Sequence, residues 1–249
     1  MATTQHYLWA GGHFLLLLSG FRYFLAWIMF KSVSSWWYKA SFLGALMSYF
    51  IVCQKALGTP QPNMAYVRKA LADENVQYFL LAIFWWTSRP VTFALFPYFV
   101  FSLFHALTFT RTTLMPQFLP PGPPLAAGGP PQPHPLAKKL HLWVKANYDT
   151  AMRIVAIAEL VIFARVLLGA LVLRNSLMMP LVYANFLHQR YFHSQFTRDA
   201  ITLADKRITD LSSHPSIPPV VGQAWMRVRE LVVRWGGSAV VEPAAARRD

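Results

Sequence analysis

The chain has 249 residues, of which 55% are hydrophobic and only 13% charged, whereas a soluble domain carries about 25% charged residues. Its formal net charge is +13, and the apolar residues fall in long blocks, so anionic lipid headgroups are the expected counter-charge and nucleic acid is not. Cys53 is the only cysteine, which excludes an intrachain disulfide, a cysteine-based metal site and the disulfide-rich secreted class.

In chain order, residues 1–6 lack the basic start of a signal peptide, so the first apolar block, 7–30, is expected to stay as an anchor. That block exceeds the roughly 20 residues needed to cross a bilayer core. A second span covers 36–57, with Trp36, Trp37 and Tyr38 as an interfacial belt and Lys39 and Lys55 placed to snorkel. The short connection makes the two a helical hairpin. Residues 58–76 are polar and carry one short helix. The apolar stretch 77–110 is interrupted by Ser88-Arg89-Pro90, where proline withdraws a helical donor and biases Arg89 out of the α region. A short embedded helix over 78–87 and a full span over 91–110, liable to kink at Pro97, follow from that break. The N-terminal membrane region is therefore 1–115, with spans near 7–30, 36–57 and 78–110.

Residues 116–135 hold half of the eighteen prolines, a polyproline-like composition expected of a flexible spacer, with a docking site for a proline-reading module as the alternative. Linker and polar connection together cover 116–148. The C-terminal membrane region, 149–195, has a span from Ala151 to Leu173 bearing Arg153, Glu159 and Arg165, then a segment over 177–187, with Pro180, that is interfacial or re-entrant. Phe192, Phe196, Ala200 and Leu203 recur at helical spacing, which predicts an amphipathic helix from Arg190 to Leu211.

The basic tail, 196–249, ends in a second amphipathic helix over 218–235. Val221, Ala224, Trp225, Val228, Leu231, Val232 and Trp235 share one face, and Gln223, Arg227, Glu230 and Arg234 the other. Pro218-Pro219 and Gly236-Gly237 supply its start and stop. An apolar face with two tryptophans opposite arginines suits a membrane surface, with Val221, Trp225, Val228, Leu231, Val232 and Trp235 as anchors and Arg227 and Arg234 on headgroups. Docking on the protein's own membrane domain is the alternative. The fold class is all-α: a polytopic helical membrane protein with helical hairpins, a Pro-broken membrane helix and C-terminal amphipathic surface helices.

Catalytic motifs are absent from the sequence. The eight histidines form no metal signature, His105 lies between Phe104 and Ala106 in an apolar helix, and neither a serine elbow nor a phosphate-cradling glycine loop is present. No catalytic residue, cofactor or metal is expected. Arg22, Glu159 and Arg165 are intramembrane charges; Glu159 and Arg165 fall on different helix faces, and an Arg22–Glu159 pair is conceivable across helices. A polar path through the three would make the chain a small transporter or channel subunit, the alternative to a structural role. An undetected lipid-modifying enzyme would need polar groups converging near the interface.

The run Val76-Gln77-Tyr78, Trp85-Trp86, Ser88-Arg89-Pro90 and Phe101-Ser102-Leu103-Phe104-His105-Ala106-Leu107-Thr108 resembles the central block of the transmembrane protein 33 family, which includes a fungal pore-membrane protein of the nuclear envelope. Weaker similarity extends through 49–58 and 185–198. The proline-rich linker departs from the animal members and fits a fungal-type insertion. The resemblance marks Gln77, Tyr78, Ser88, Arg89, Pro90, Phe104 and His105 as family positions. It implies residence in the endoplasmic reticulum and nuclear envelope, association with reticulon-type membrane-shaping proteins and nuclear pore components, and a non-enzymatic role in membrane curvature, tubule organisation and nuclear pore assembly or distribution. Basic residues in successive connections do not settle the topology, and the tail is expected on the cytosolic side.

Overall fold

Thr3 opens the first helix by accepting a hydrogen bond from the His6 amide, and α1 runs Thr4–Ile28. The computed structural model describes residues 3–123 and 131–236. After α1 come α2 (Ser35–Leu57), α3 (Met64–Ala72) and α4 (Glu74–Thr87), capped by Ser34, Asn63 and Asp73 respectively. A 3-10 turn, Thr92–Ala94, leads into α5 (Leu95–Phe109), a π turn (Thr110–Leu114) and α6 (Met115–Phe118). Then follow α7 (Pro135–Leu171), α8 (Met178–His193), α9 (Gln195–Ser212) and α10 (Pro219–Gly236). No strand occurs among the described residues, and one isolated bridge joins Gly122 to Gln132. The all-α polytopic class holds, with four helical stretches long and apolar enough to cross a membrane: α1, α2, Thr92–Phe118 and α7.

The chain divides into two units, Met1–Gln189 and Arg190–Asp249. In the first, α1 and α2 form the expected hairpin, and their backbones touch because Gly12 and Gly44 face each other. A Cβ on Gly44 would lie 2.5 Å from the Gly12 carbonyl oxygen and 2.8 Å from the Leu16 nitrogen. Ser48 Oγ donates to the Trp9 carbonyl at 2.8 Å, and Ser19 and Ser41 hydroxyls meet at 2.9 Å. Small residues thus allow close approach and serine hydroxyls join the helices, as bilayer packing favours.

Ser88-Arg89-Pro90 does break the membrane helix: α4 stops at Thr87 and Ser88 is extended. Pro97 does not interrupt the helix. It sits in the first turn of α5, where an amide has no helical partner to lose. Helix continues to Phe118 rather than ending near 110, and the π turn immediately precedes Pro116; a wider turn relieves the clash between a proline ring and the carbonyl four residues before it. The linker therefore starts at Leu119. Its bounds differ at the other end too: His134 caps α7, which begins at Pro135, so residues assigned to a polar connection up to 148 are helical. At 37 residues the helix is about 55 Å long, well beyond a hydrocarbon core of about 30 Å. The change from polar to apolar near Ala151 marks where membrane character begins, not where the helix begins. Of the proline-rich segment, 124–130 lie outside the described residues.

Neighbouring helices alternate in direction. Tyr23 and Trp27 near the end of α1 meet Thr92 and Phe93, whereas Tyr7 at its start meets Gln117 and Phe109. Phe104 contacts Trp143 and Tyr148 in the N-terminal half of α7, and Trp85 and Tyr78 of α4 meet Tyr183 and Phe186 of α8. One end of the bundle thus collects the connections 29–34, 88–94 and 172–177. Two of these open with the same device. Phe30 (φ 54°) and Leu173 (φ 57°) are left-handed residues closing α1 and α7, with Lys31 N–H bonded to the Ala26 carbonyl and Arg174 N–H to that of Gly169. Such Schellman closures normally place glycine at the left-handed position; a side chain there costs about 1–2 kcal/mol.

In the second unit, α9 starts at Ser194, which caps it and separates it from α8. The single amphipathic helix expected from Arg190 is therefore broken after His193. Helix α10 matches the 218–235 segment to within a residue at each end; Gly237 and the rest of the tail lie outside the described residues.

Candidate membrane-binding helix and buried tyrosine network

Helix α10 packs on α9 along the edge of its apolar stripe. Trp225 Nε1 donates to Thr209 Oγ1 at 3.1 Å, and the Arg229 guanidinium lies 3.4 Å from an Asp205 carboxylate oxygen. The half-buried positions Gly222, Trp225 and Val233 mark the α9 side. That side is turned away from the centre of the stripe, so Val221, Val228, Leu231 and Val232 are exposed, Leu231 at 65%, and Trp235 is 53% exposed. One edge of the helix docks on α9 of the same unit, and the rest of its apolar face is exposed. Arg227 and Arg234 are exposed as well. Among the eight proposed membrane-contact residues, Trp225 commits its indole N–H to Thr209. Thr209, Asp205 and Arg229 are the residues sequence reading missed. The three lie outside the apolar periodicity, which gives no sign of them.

The family positions Gln77 and Tyr78 lie on the buried side of α4. Gln77 Nε2 donates to the Leu71 carbonyl at 3.0 Å, tying α4 to the end of α3. Tyr78 Oη donates to Glu159 Oε1 of α7 at 2.5 Å, and Tyr98 Oη donates to the Tyr78 carbonyl at 2.9 Å. Tyr49 stacks on Tyr78 at 5.9 Å, and Tyr98 meets both rings edge-on. Helices α2, α4, α5 and α7 are thereby joined around one fully buried carboxylate. A polar group inside a membrane bundle is tolerated when its hydrogen-bonding atoms face protein donors, and the phenol supplies one. Ser88, Arg89 and Pro90 form the break at the end of α4. Phe104 is buried against Trp143 and Tyr148, while the His105 ring lies against Trp9 and His13. His13 in turn shares a 2.9 Å hydrogen bond with Ser102. The seven family positions thus divide between the α3–α4 tie, the tyrosine network, the helix break and the α1–α5–α7 contact.

Arg22, Glu159 and Arg165 do not converge. Arg22 is exposed, with its guanidinium 5.9 Å from the centre of the Trp37 ring rather than against Glu159, so the conceivable Arg22–Glu159 pair is not formed. Arg165 is exposed on α7. The open cleft of about 350 Å³ lined by Gln5, Gln54, Lys55, Gly58, Thr59 and Pro60 includes none of the three. Among the described residues no group of histidine, cysteine and carboxylate side chains is placed to hold a metal ion.

Residues 1–238 match the family described as Transmembrane protein 33/Nucleoporin POM33. The chain is 32% identical to Nucleoporin POM33 of Chaetomium thermophilum, over 92% of this chain and 85% of that protein. It is 29% identical to Tetra-spanning protein 1 of Schizosaccharomyces pombe, over 94% and 85%, and 28% identical to Pore membrane protein of 33 kDa of Saccharomyces cerevisiae, over 94% and 84%. No solved structure matches the chain.

Proposed function

The chain belongs to the Transmembrane protein 33/Nucleoporin POM33 family, and from that premise we propose that it is a non-enzymatic organiser of endoplasmic reticulum and nuclear envelope membrane. It contributes to membrane curvature and tubule organisation and to nuclear pore complex assembly or distribution. Two relatives are named for the nuclear pore or its membrane, which supports the location and pore components as partners; reticulon-type proteins are the further partners of the reading, and the tail faces the cytosol.

The observation that carries the mechanism is the outward apolar face of α10, Val221, Val228, Leu231 and Val232, with Arg227 and Arg234 on the polar side. A helix of this kind lies in the headgroup layer with its apolar face at the acyl boundary, and anionic lipid attracts its arginines. Insertion from one side expands that leaflet relative to the other, which favours curved membrane such as the pore rim. The transporter alternative draws no support from the scattered positions of Arg22, Glu159 and Arg165. The test is the full chain carrying Val228→Asp and Leu231→Asp, expressed in Saccharomyces cerevisiae lacking its Pore membrane protein of 33 kDa. Lower enrichment at pores and tubules with unchanged expression is expected; a distribution equal to that of the parent chain overturns the mechanism.

A further inference from the structure

The end of the first unit that gathers connections 29–34, 88–94 and 172–177 carries only positive charge. Arg22, Lys31, Lys39, Arg89, Arg165 and Arg174 come to it from α1, α2, α7 and the connections themselves. All six are exposed, and none is ion-paired among the described residues. No carboxylate lies in these connections or within two turns of them along any flanking helix. The opposite end differs, since Asp73, Glu74 and Asp149 mingle with its lysines and arginines. Six like charges gathered without a counter-ion repel one another unless an external anion sits among them.

A second observation identifies the anion. The two Schellman closures at this end put Phe30 and Leu173 in the left-handed conformation, 99% and 87% exposed, each followed directly by a cation, Lys31 and Arg174. Met29, Val172 and Leu177 beside them are exposed too. A large apolar side chain held outward in a conformation that favours glycine gains nothing in water. At the edge of a bilayer it enters the acyl boundary while the adjacent ammonium or guanidinium reaches a phosphate. An acidic protein surface would use the charges and leave these apolar side chains unexplained.

We propose that this end of the bundle is a rim that binds anionic phospholipid, with Phe30 and Leu173 as apolar anchors and Lys31, Lys39, Arg89 and Arg174 as headgroup contacts. The site is built from first-unit residues alone and belongs to the leaflet that meets the 29–34 and 172–177 connections.

The test uses the purified full chain in detergent micelles doped with equal amounts of phosphatidylserine and phosphatidylcholine, and native mass spectrometry counts the lipids retained. The parent chain should retain phosphatidylserine preferentially. The variant Lys31→Gln/Lys39→Gln/Arg89→Gln/Arg174→Gln should lose that preference at least tenfold, each cation near a headgroup surface being worth about fivefold, or about 1 kcal/mol. The charge-conserving Lys31→Arg/Lys39→Arg/Arg89→Lys/Arg174→Lys should keep it. Arg227→Gln/Arg234→Gln removes the α10 headgroup contacts from the count, and in that background the four neutralising rim substitutions should still lower phosphatidylserine retention at least tenfold, so failure of the α10 mechanism and failure of the rim are read separately. Phe30→Gly/Leu173→Gly guards against misfolding as the cause: glycine relieves the left-handed strain, so thermal stability in detergent should rise while lipid retention falls. A parent chain indifferent to phosphatidylserine, a neutralised variant that binds like the parent, or glycine variants that retain lipid fully would each overturn the proposal. Indifference by the parent would redirect the rim to an acidic protein partner.

Discussion

Replacing Gly44 by alanine tests the α1–α2 contact on backbone geometry alone. The added Cβ would lie 2.5 Å from the Gly12 carbonyl oxygen and 2.8 Å from the Leu16 nitrogen. Both obstacles are backbone, so no rotamer change relieves them. Restoring ordinary contact requires the helices to part by about 1 Å, and overpacking of this kind costs about 1–3 kcal/mol. The same displacement would stretch the 2.8 Å Ser48–Trp9 and 2.9 Å Ser19–Ser41 hydrogen bonds past useful length, at about 0.6 kcal/mol each in a membrane setting. Alanine returns about 1 kcal/mol through helix propensity, which leaves a net loss of about 1–3 kcal/mol. Gly11→Ala is the matched control, because a Cβ there meets only Met47 Cε at 3.8 Å. It should be neutral or stabilising by up to about 1 kcal/mol. Equilibrium unfolding in mixed detergent, or thermal aggregation monitored by fluorescence size exclusion, would rank the two. The close-contact reasoning fails if Gly44→Ala is as stable as Gly11→Ala.

Three further outcomes follow from the described contacts. Tyr78→Phe removes the donor to Glu159 and should destabilise the bundle by about 1–2 kcal/mol; in a double-mutant cycle with Glu159→Gln, the effects should be non-additive by at least about 0.5 kcal/mol, and simple additivity would refute the coupling. Trp225→Phe keeps an aromatic side chain but loses the indole N–H that bonds Thr209, with an expected loss of about 0.5–1.5 kcal/mol between α9 and α10; faster amide exchange in α10 is the readout, and unchanged exchange counts against the contact. In liposomes, quenching of the chain's tryptophan fluorescence by shallow brominated lipid should fall further below the parent value in Trp235→Phe than in Trp225→Phe, because Trp235 is 53% exposed whereas Trp225 faces α9; an equal fall would contradict the docking of α10 on α9 by its Trp225 edge.

Long apolar blocks and proline positions made the membrane helices legible from sequence, because bilayer solvent imposes length and composition together. Ser88-Arg89-Pro90 was readable for the same reason: a missing amide donor acts locally. A proline's effect depends on its position along a helix, and the 3-10 turn before α5, which periodicity does not announce, places Pro97 in the first turn. The early start of α7 was hidden because Lys138, Lys139 and Lys145 are compatible with helix and mark only departure from hydrocarbon. Ser194 reads as an N-cap only once its backbone is seen to leave the helical region there. The Tyr78–Glu159 bond joins residues 81 positions apart, and no periodicity within one helix encodes such a partner. The apolar face of α10 was visible in its spacing, but its rotation on α9 depended on Thr209 and Asp205, which the spacing of α10 does not contain.

The bridge between Gly122 and Gln132, with paired hydrogen bonds of 2.8 and 3.2 Å, brings two points inside the proline-rich segment, one near each end, together. The geometry of α6 and α7 is then insulated from the length of whatever is strung between those residues. Doubling a closed loop costs only about 0.6 kcal/mol, so this position can drift in length between species, or accept an epitope, a fluorophore-binding peptide or a protease site, while the helices on either side keep their register. A reporter inserted there would read which side of the membrane this end occupies without altering a residue of the tyrosine network.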